Sequence, residues 1–245
     1  MSEMEKVEYA FFMKHTILIT GANRGLGLEL ARQLLNKGHR VFALNRGTSH
    51  EVEALGAAFP EDFYIVRGDA THGEQLTKAK KVVLGQVKSL DILINNAAVH
   101  LEQDGTGLED MDFDAVSRTF EVNTIGPLKV TQAFMPLLLE GSKRLLVNIS
   151  SDAGSVSGCW RTREFGYAMS KAALNMQSKI LQNRFGELGL KVLALHPGWV
   201  RTDMGGGSAD LSPEESASGL VQLMLRDWSV DDPMYMDYTG KVMGW

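Results

Sequence analysis

The stretch ILITGANRGLGLELARQLLNKGHRVFALNR, residues 17–46, decides the fold of this chain. Residues 17–19 form a short apolar run of the kind that suits a strand buried on both faces. Gly21, Gly25 and Gly27 then form a turn, and leucines recur behind them at helical spacing. A strand, a glycine turn and a helix in this order direct backbone N–H groups at an anion, so the stretch predicts a pyrophosphate site.

The glycine spacing adds detail to this prediction. It is Gly-x-x-x-Gly-x-Gly, which departs from the Gly-x-Gly-x-x-Gly of longer dehydrogenases. The alternative interpretation is a plain glycine-rich surface turn, which the flanking strand and helix patterns disfavour.

Further apolar segments end in small or polar residues and alternate with stretches of helix length. They span residues 63–70, 90–98, 144–151 and 191–198. This rhythm predicts an α/β fold, a doubly wound, Rossmann-type parallel sheet with helices on both faces. In such sheets ligands bind outside the carboxyl ends of the strands, so the polar residues at these ends should converge on one crevice.

The length and composition fit one globular domain. The chain has 245 residues, 44% of them hydrophobic and 22% charged, and we assign residues 13–245 to a single domain. Residues 1–12 are an acidic extension of unknown role without the features of a signal peptide. A net charge of −5 offers no basic stripe, which argues against nucleic-acid binding.

The cysteine content and hydropathy point to a location. Cys159 is the single cysteine, so an internal disulfide is impossible, which suits a reducing compartment. No apolar run approaches the roughly 18 residues of a membrane-spanning helix. We therefore expect a cytoplasmic protein that does not bind a membrane.

Tyr167 and Lys171 lie four residues apart in the run FGYAMSKAALN. On a helix this spacing stacks both side chains on one face, one turn apart. A phenol beside an ammonium is a proton donor whose pKa the cation is expected to lower toward neutrality. Such a pair also arises by chance, so its weight depends on the motifs around it.

Six motifs occur in the order and approximate spacing of a known family: TGANRGLG, NNAA, EVNTIG, NISS, YAMSK and HPGWVRTDM. From Thr16 to Asp203 the sequence resembles the single-domain short-chain dehydrogenase/reductases. Three features are similar to the C-factor and sniffer carbonyl-reductase-like branch: the glycine turn, the segment HPGWVRTDMGG and the chain end at Trp245. One departure is Ala98, where the family has glycine.

The resemblance implies roles for four residues. Tyr167 would donate the proton during carbonyl reduction, and Ser151 would hold the carbonyl oxygen, with Ser150 more simply structural. Lys171 would bind the nicotinamide ribose, and Asn123 would anchor a water of a proton relay. From the residues alone, Asn123 is equally a polar residue that interrupts a helix.

The end of the second strand bears on the choice of cofactor. NAD-selective enzymes place a carboxylate there, whereas NADP requires cations for its 2′-phosphate. This chain has Asn45 and Arg46, with Arg24 in the glycine turn, which favours NADP(H); NAD(H) stays possible, with two solvated arginines as the alternative. With the contacts that the resemblance implies, the expected cofactor residues are Gly21, Asn23, Arg24, Gly25, Leu26, Gly27, Asn45, Arg46, Asp69, Ala70, Asn96, Ala97, Ala98, Tyr167, Lys171, Pro197, Gly198, Val200 and Thr202.

Aromatic residues flank the expected catalytic residues. Trp160, Phe165 and Trp199 would line a pocket for a small carbonyl or alcohol substrate, or would equally be core. Residues 99–101 could supply a further wall, and residues 205–208 are either the hinge of a lid or a plain surface loop. The six histidines show no paired ligand spacing, so we expect no metal.

Two amphipathic segments, residues 113–139 and 167–185, suggest assembly. In the family such segments pack against their copies, which implies a homodimer or homotetramer. Packing on the chain's own sheet is the alternative, since it would use the same residues, among them Ala172, Met176 and Ile180.

Three function classes follow from the sequence. An NADPH-dependent carbonyl reductase or alcohol dehydrogenase leads. A C-factor-like signalling or regulatory protein that binds NAD(P) stays open, because a fold does not fix a biological role. An epimerase or dehydratase is disfavoured, because no room is left beyond Asp203 for a separate substrate domain.

Overall fold

The computed structural model describes residues 14–102 and 107–245, so the proposed extension over residues 1–12 lies outside the described residues. All strands run parallel in one sheet: β1 (Thr16–Thr20), β2 (Arg40–Asn45), β3 (Phe63–Arg67), β4 (Ile92–Asn95), β5 (Leu145–Ile149), β6 (Lys191–His196) and β7 (Tyr235–Asp237). Their order across the sheet is β3-β2-β1-β4-β5-β6-β7. The order reverses at β1, which opens a crevice between the carboxyl ends of β1 and β4.

Helices cover both faces of this sheet: α1 (Gly25–Asn36), α2 (His50–Ala58), α3 (Gly73–Leu84), α4 (Phe113–Phe120), α5 (Gly126–Leu139), α6 (Phe165–Phe185) and α7 (Pro213–Leu225). One apolar cluster joins α1 and α7 to one face, and a second cluster joins α3, α5 and α6 to the other. The predicted doubly wound α/β fold is therefore confirmed. Among the described residues, none of the helices has both the length and the apolar character that crossing a membrane requires.

Burial explains why the central strands have so little polar character. Ile17, Leu18 and Ile19 of β1 are fully buried, and they alternate between the two apolar clusters. A strand covered on both faces gains free energy from apolar side chains at every position. The short strand β7, whose sequence is only Tyr-Met-Asp, was not predicted, because three residues carry no readable periodicity.

A polar cluster ties the chain together at the amino ends of the strands. The Asp91 carboxylate accepts hydrogen bonds from the Thr16 N–H at 2.8 Å and from the N–H and hydroxyl of Ser142 at 2.8 and 2.7 Å. Burial alone would raise its pKa, but these bonds and the neighbouring His15 hold the pKa of Asp91 well below its ordinary value. His39 packs beside them, and burial together with the charges of His15 and Lys37 lowers its pKa to about 4.

This cluster predicts a pH dependence of stability. Because the folded pKa of His39, about 4, lies below the unfolded value of 6.5, the unfolded chain binds more protons between these values. The contribution of His39 is therefore complete above pH 6.5 and is lost as the pH falls to about 4, at a cost of up to about 3 kcal/mol. Urea unfolding from pH 7 to pH 4 should show a smaller loss of stability in His39→Gln than in the wild type. His50→Gln, at an exposed position, is the control, and parallel profiles for wild type and His39→Gln would contradict the assignment.

Candidate active site

The turn between β1 and α1 requires its glycines. Gly21 and Gly25 have φ angles of +69° and +53°, in the left-handed region that side chains disfavour. A Cβ at Gly27 would overlap the Gly21 carbonyl oxygen and the Asn96 amide nitrogen. The start of α1 therefore lies directly on the ends of β1 and β4, at the switch point of the sheet.

Two asparagines hold this turn. The Asn45 side-chain oxygen accepts the Ala22 N–H at 2.7 Å, and the Asn96 amide donates to the carbonyl oxygens of Thr20 and Gly21, both at 3.0 Å. Asn45 is buried, and its amide nitrogen has no protein partner among the described residues. Asn45 is the last residue of β2, as the sequence predicts, and its side chain supports the turn from below.

The two arginines expected to share a phosphate lie in different environments. Arg46 is exposed directly after β2, and its charge helps to hold the pKa of the nearby Asp69 below its ordinary value, against the effect of burial and together with hydrogen bonds from Thr71. Arg24 instead forms an ion pair with Asp203 at 2.7 Å across the mouth of the crevice. The structure therefore leaves Arg46, and not both arginines, with an exposed guanidinium outside an ion pair among the described residues.

The segment after β6 forms the opposite wall of the crevice. The Pro197 carbonyl accepts the Ser216 hydroxyl at 2.7 Å, and Val200 pairs with Leu211. Thr202 returns to the glycine turn, where its methyl group would lie 3.2 Å from a Cβ at Gly25. The remaining expected cofactor residues, which line the same turn and strand ends, are Asn23, Leu26, Ala70, Ala97, Ala98 and Gly198.

Helix α6 brings Tyr167 and Lys171 together as the spacing predicts. The Lys171 ammonium lies 5.7 Å from the centre of the Tyr167 ring and donates to the Ile149 carbonyl oxygen at 2.8 Å. Lys171 is only 2% exposed, and burial lowers its pKa to about 8.

The expected lowering of the Tyr167 pKa by Lys171 is wrong for this structure. Burial raises the pKa of Tyr167 to about 12, and the neighbouring Ser151 hydroxyl only partly opposes that effect. The ammonium is directed at a carbonyl oxygen at the end of β5, so desolvation of the phenolate outweighs its attraction. Tyr167 is therefore protonated at neutral pH, which is the state that a proton donor requires.

Ser151 lies just after β5, and its hydroxyl makes two hydrogen bonds. Its hydroxyl accepts the Ala153 N–H at 3.1 Å and donates to Asp152 at 2.9 Å. Ser150, the alternative, donates instead to Asn175 at 2.6 Å in the interior. Ser150 is thus committed to the core, and Ser151 is the serine whose hydroxyl influences the pKa of Tyr167.

Asn123 lies in a π-helical turn, Glu121–Ile125, that joins α4 to α5. Its side chain pairs with both backbone groups of Val99, each at 2.8 Å, and donates to Ser170 at 3.1 Å. Proline at position 127 has no N–H, so the Asn123 carbonyl lacks its α-helical donor four residues on. The side chain is committed to the backbone of Val99 and to Ser170.

Several polar residues of the site were not predicted from the sequence. Glu102 accepts the N–H groups of Gly166 and Tyr167 at 3.0 and 2.8 Å, which caps the start of α6. Arg161 bridges Asp152, at 3.1 Å, and Glu164, at 2.9 Å. Asp152 carried a signal in the sequence, because it stands next to Ser151. The Glu102 contacts carried none, because they join residues 64 and 65 positions apart in the chain.

The expected substrate residues lie on the segments that follow β5 and β6 and at the start of α6. Trp160 is 74% exposed, with the Arg161 guanidinium 4.9 Å from its ring centre, and Trp199 is 51% exposed. Both are therefore surface residues and not core, while Phe165 is half-buried at the start of α6. His100, from the expected further wall, lies against Tyr167 with the ring centres 4.8 Å apart.

The sequence of this chain is similar to those of known proteins. Residues 15–211 match the family model for short chain dehydrogenases. C-signal of Myxococcus xanthus is 36% identical over 156 residues, which cover 64% of this chain and 93% of that protein.

Two solved structures have nearly the same fold. The NADPH-bound carbonyl reductase from chicken fatty liver superimposes with a TM-score of 0.87 at 32% identity, covering 96% of this chain and 100% of that one. Carbonyl reductase Sniffer of D. melanogaster gives 0.89 at 29% identity, covering 95% and 100%. The glycine turn at the switch point, the tyrosine and lysine of α6 and these matches agree, and the chain belongs to the short-chain dehydrogenase family of oxidoreductases.

Proposed function

We propose that this protein is an NADPH-dependent carbonyl reductase, which would act as an alcohol dehydrogenase in the reverse direction. The observation that carries the proposal is the pairing of Tyr167 with the buried Lys171, one helical turn apart on α6 and beside the end of β5, which Ser151 follows. The carbonyl reductase neighbours support it, because one of them is bound to NADPH.

The crevice fits a nicotinamide dinucleotide. A Cβ at Gly21 would lie 2.9 Å from the Ala97 Cα, so only glycine leaves the turn this close to the end of β4. Arg24 is the residue before α1, and its side chain caps none of the first N–H groups of the helix. These N–H groups can therefore receive a phosphate. When bound, the cofactor supplies the hydride.

The chain's own groups account for the proton. The substrate oxygen would accept a hydrogen bond from Tyr167, and a second from Ser151 once that hydroxyl turns away from Asp152. Tyr167 would give up its proton as that oxygen gains charge. Lys171 would stabilise the phenolate left behind and hold the nicotinamide ribose. The Asn123 carbonyl would bind the water that returns a proton to this pair.

The preference for NADP(H) follows from charge. No carboxylate stands in the sequence directly after β2, and Arg46 is exposed at that point. A guanidinium bonds well to a phosphate, whereas a bare ribose offers it nothing. Since Arg24 is paired with Asp203, Arg46 would carry most of the discrimination, and NAD(H) would bind more weakly.

The substrate would be a small carbonyl compound of modest polarity. The exposed faces of Trp160 and Trp199, with Phe165 between the loop and α6, support an aromatic wall around the reacting oxygen. A second candidate is a regulatory NADP-binding protein with little turnover, which the similarity to C-signal favours. A panel of aldehydes and ketones with NADPH separates the two.

A homodimer or homotetramer is the proposed assembly. On α6, Met169, Met176 and Ile180 are 46%, 63% and 57% exposed and lie on one stripe with Ala173. Packing on the chain's own sheet instead uses residues such as Leu174, which is buried. The two explanations therefore require different residues, and the exposed stripe has the apolar character that a second copy would cover.

The first prediction concerns the proton donor. Tyr167→Phe keeps the ring and removes the hydroxyl, so turnover should fall by about 10²-fold or more while the NADPH dissociation constant stays unchanged. NADPH oxidation and nucleotide fluorescence measure the two quantities. Lys171→Ala should lower turnover and also weaken NADPH binding, since the ammonium is proposed to serve both the phenol and the ribose. Tyr64→Phe, far along the sheet on β3, is the control; turnover of Tyr167→Phe close to wild type would exclude the assignment.

The second prediction concerns the cofactor. Arg46→Ala should weaken NADPH binding by about tenfold or more and leave NADH nearly unaffected, because NADH has no 2′-phosphate to lose. The wild-type preference should shrink as salt is added. Arg32→Ala, on α1 and paired with Glu29, is the control. Equal weakening of both nucleotides would show that Arg46 is an ordinary surface charge.

The third prediction concerns assembly. Light scattering at micromolar concentration should give a mass of at least twice the 26.9 kDa of one chain. Met176→Glu together with Ile180→Glu should reduce it toward one chain, because charges cannot be buried across the stripe. Glutamates at the exposed Val82 and Leu84 of α3 are the control. A wild-type mass of a single chain would rule the assembly out.

A further inference from the structure

Tyr235 links the far edge of the sheet to the segment that carries Ser151. It is 1% exposed on β7, and its hydroxyl donates to the Ser151 carbonyl oxygen at 2.6 Å. Burial raises the pKa of Tyr235 to about 12, so the phenol keeps its proton and stays a donor. No residue of the proposed mechanism needs this bond for its own chemistry.

The Trp245 ring stacks on the ring of Tyr235. The ring centres are 5.0 Å apart, and the ring planes are inclined by 24°. Residues 243–245, which we call the strap, also bind β7 directly, because the Met243 N–H donates to the Tyr235 carbonyl at 2.9 Å. The strap therefore fixes both the backbone and the ring of Tyr235.

The strap also holds the loop that follows Ser151. The main-chain oxygen of Trp245 accepts the Ser157 N–H at 2.8 Å, and the Gly244 carbonyl accepts the Ser155 hydroxyl at 2.7 Å. The Ser155 oxygen in turn accepts the Gly158 N–H at 3.0 Å. Ser151 is thus restrained at its carbonyl by Tyr235 and in the loop after it by the strap.

These restraints bear on the direction of the catalytic hydroxyl. Rotation of the Ser151 carbonyl moves the backbone of residue 151 and with it the Cβ that carries the hydroxyl. A hydroxyl displaced by about 1 Å loses its hydrogen bond to a reacting oxygen, which can cost up to about 10²-fold in rate. Among the residues that the structure describes, no hydrogen bond joins the strap to the glycine turn that would bind the nucleotide.

We propose that Tyr235 and Trp245 are positioning residues for Ser151, with the strap as the element that holds them in place. This inference rests on the proposed role of Ser151 in carbonyl reduction. It assigns a task to a segment that lies outside the residues expected to bind cofactor or substrate.

A double-mutant cycle tests whether the effect passes through Ser151. Trp245→Ala and Tyr235→Phe should each lower kcat by roughly tenfold, with the NADPH dissociation constant unchanged, and Trp245→Phe should retain most of the activity. In a Ser151→Ala background, Trp245→Ala should cause no further loss of the residual turnover. An equal loss in both backgrounds, or no loss in either, would overturn the proposal.

Amide hydrogen exchange provides a second test that does not depend on turnover. Trp245→Ala should speed exchange at Ser157 and Gly158 and leave the amides of α1 unchanged. Trp228→Ala, which removes a tryptophan packed against α7, is the matched control and should leave the 155–158 loop protected. Unchanged exchange at Ser157 in Trp245→Ala would overturn the proposal. If the wild type turns over no carbonyl compound while Trp245→Ala still speeds exchange at Ser157, the proposed function is overturned. The strap would then still be shown to restrain the loop.

Discussion

The close contact between the start of α1 and the ends of β1 and β4 is the constraint on which the structure depends. A Cβ at Gly27 would displace the Gly21 carbonyl and the Asn96 amide, so the helix would have to move away from the sheet. Asn45 and Asn96 then fix the turn by bonds to its backbone. The same contact directs the N–H groups of α1 into the crevice, which makes one packing requirement serve both the fold and the proposed phosphate site.

Burial governs the chemistry of the proposed active site more strongly than pairing does. Desolvation disfavours the charged form of each group, which raises the pKa of the half-buried Tyr167 to about 12 and lowers that of the buried Lys171 to about 8. A neutral phenol beside an ammonium is the arrangement that donates a proton and then stabilises the resulting anion. The Ile149 carbonyl keeps the buried cation hydrogen-bonded, which reduces the cost of its burial.

The surroundings of Ser151 show how far such a site extends. Asp152 accepts a hydrogen bond from the Ser151 hydroxyl, Arg161 holds Asp152, and Tyr235 donates to the Ser151 carbonyl from the edge of the sheet. These partners come from a loop and from β7, and they restrain both the side chain and the backbone of Ser151. A reaction that needs an oxygen held to within a fraction of an ångström requires such a supporting shell.

The sequence by itself determined the α/β fold, the glycine turn and the pairing of Tyr167 with Lys171, because these follow from local periodicity and spacing. Only the tertiary structure decided that Asn45 supports the turn, that Arg24 pairs with Asp203, and that the pKa of Tyr167 rises. Arg24 and Asp203 are 179 residues apart. Ion pairs and burial of this kind depend on distances between segments remote in the chain, and no local pattern encodes them.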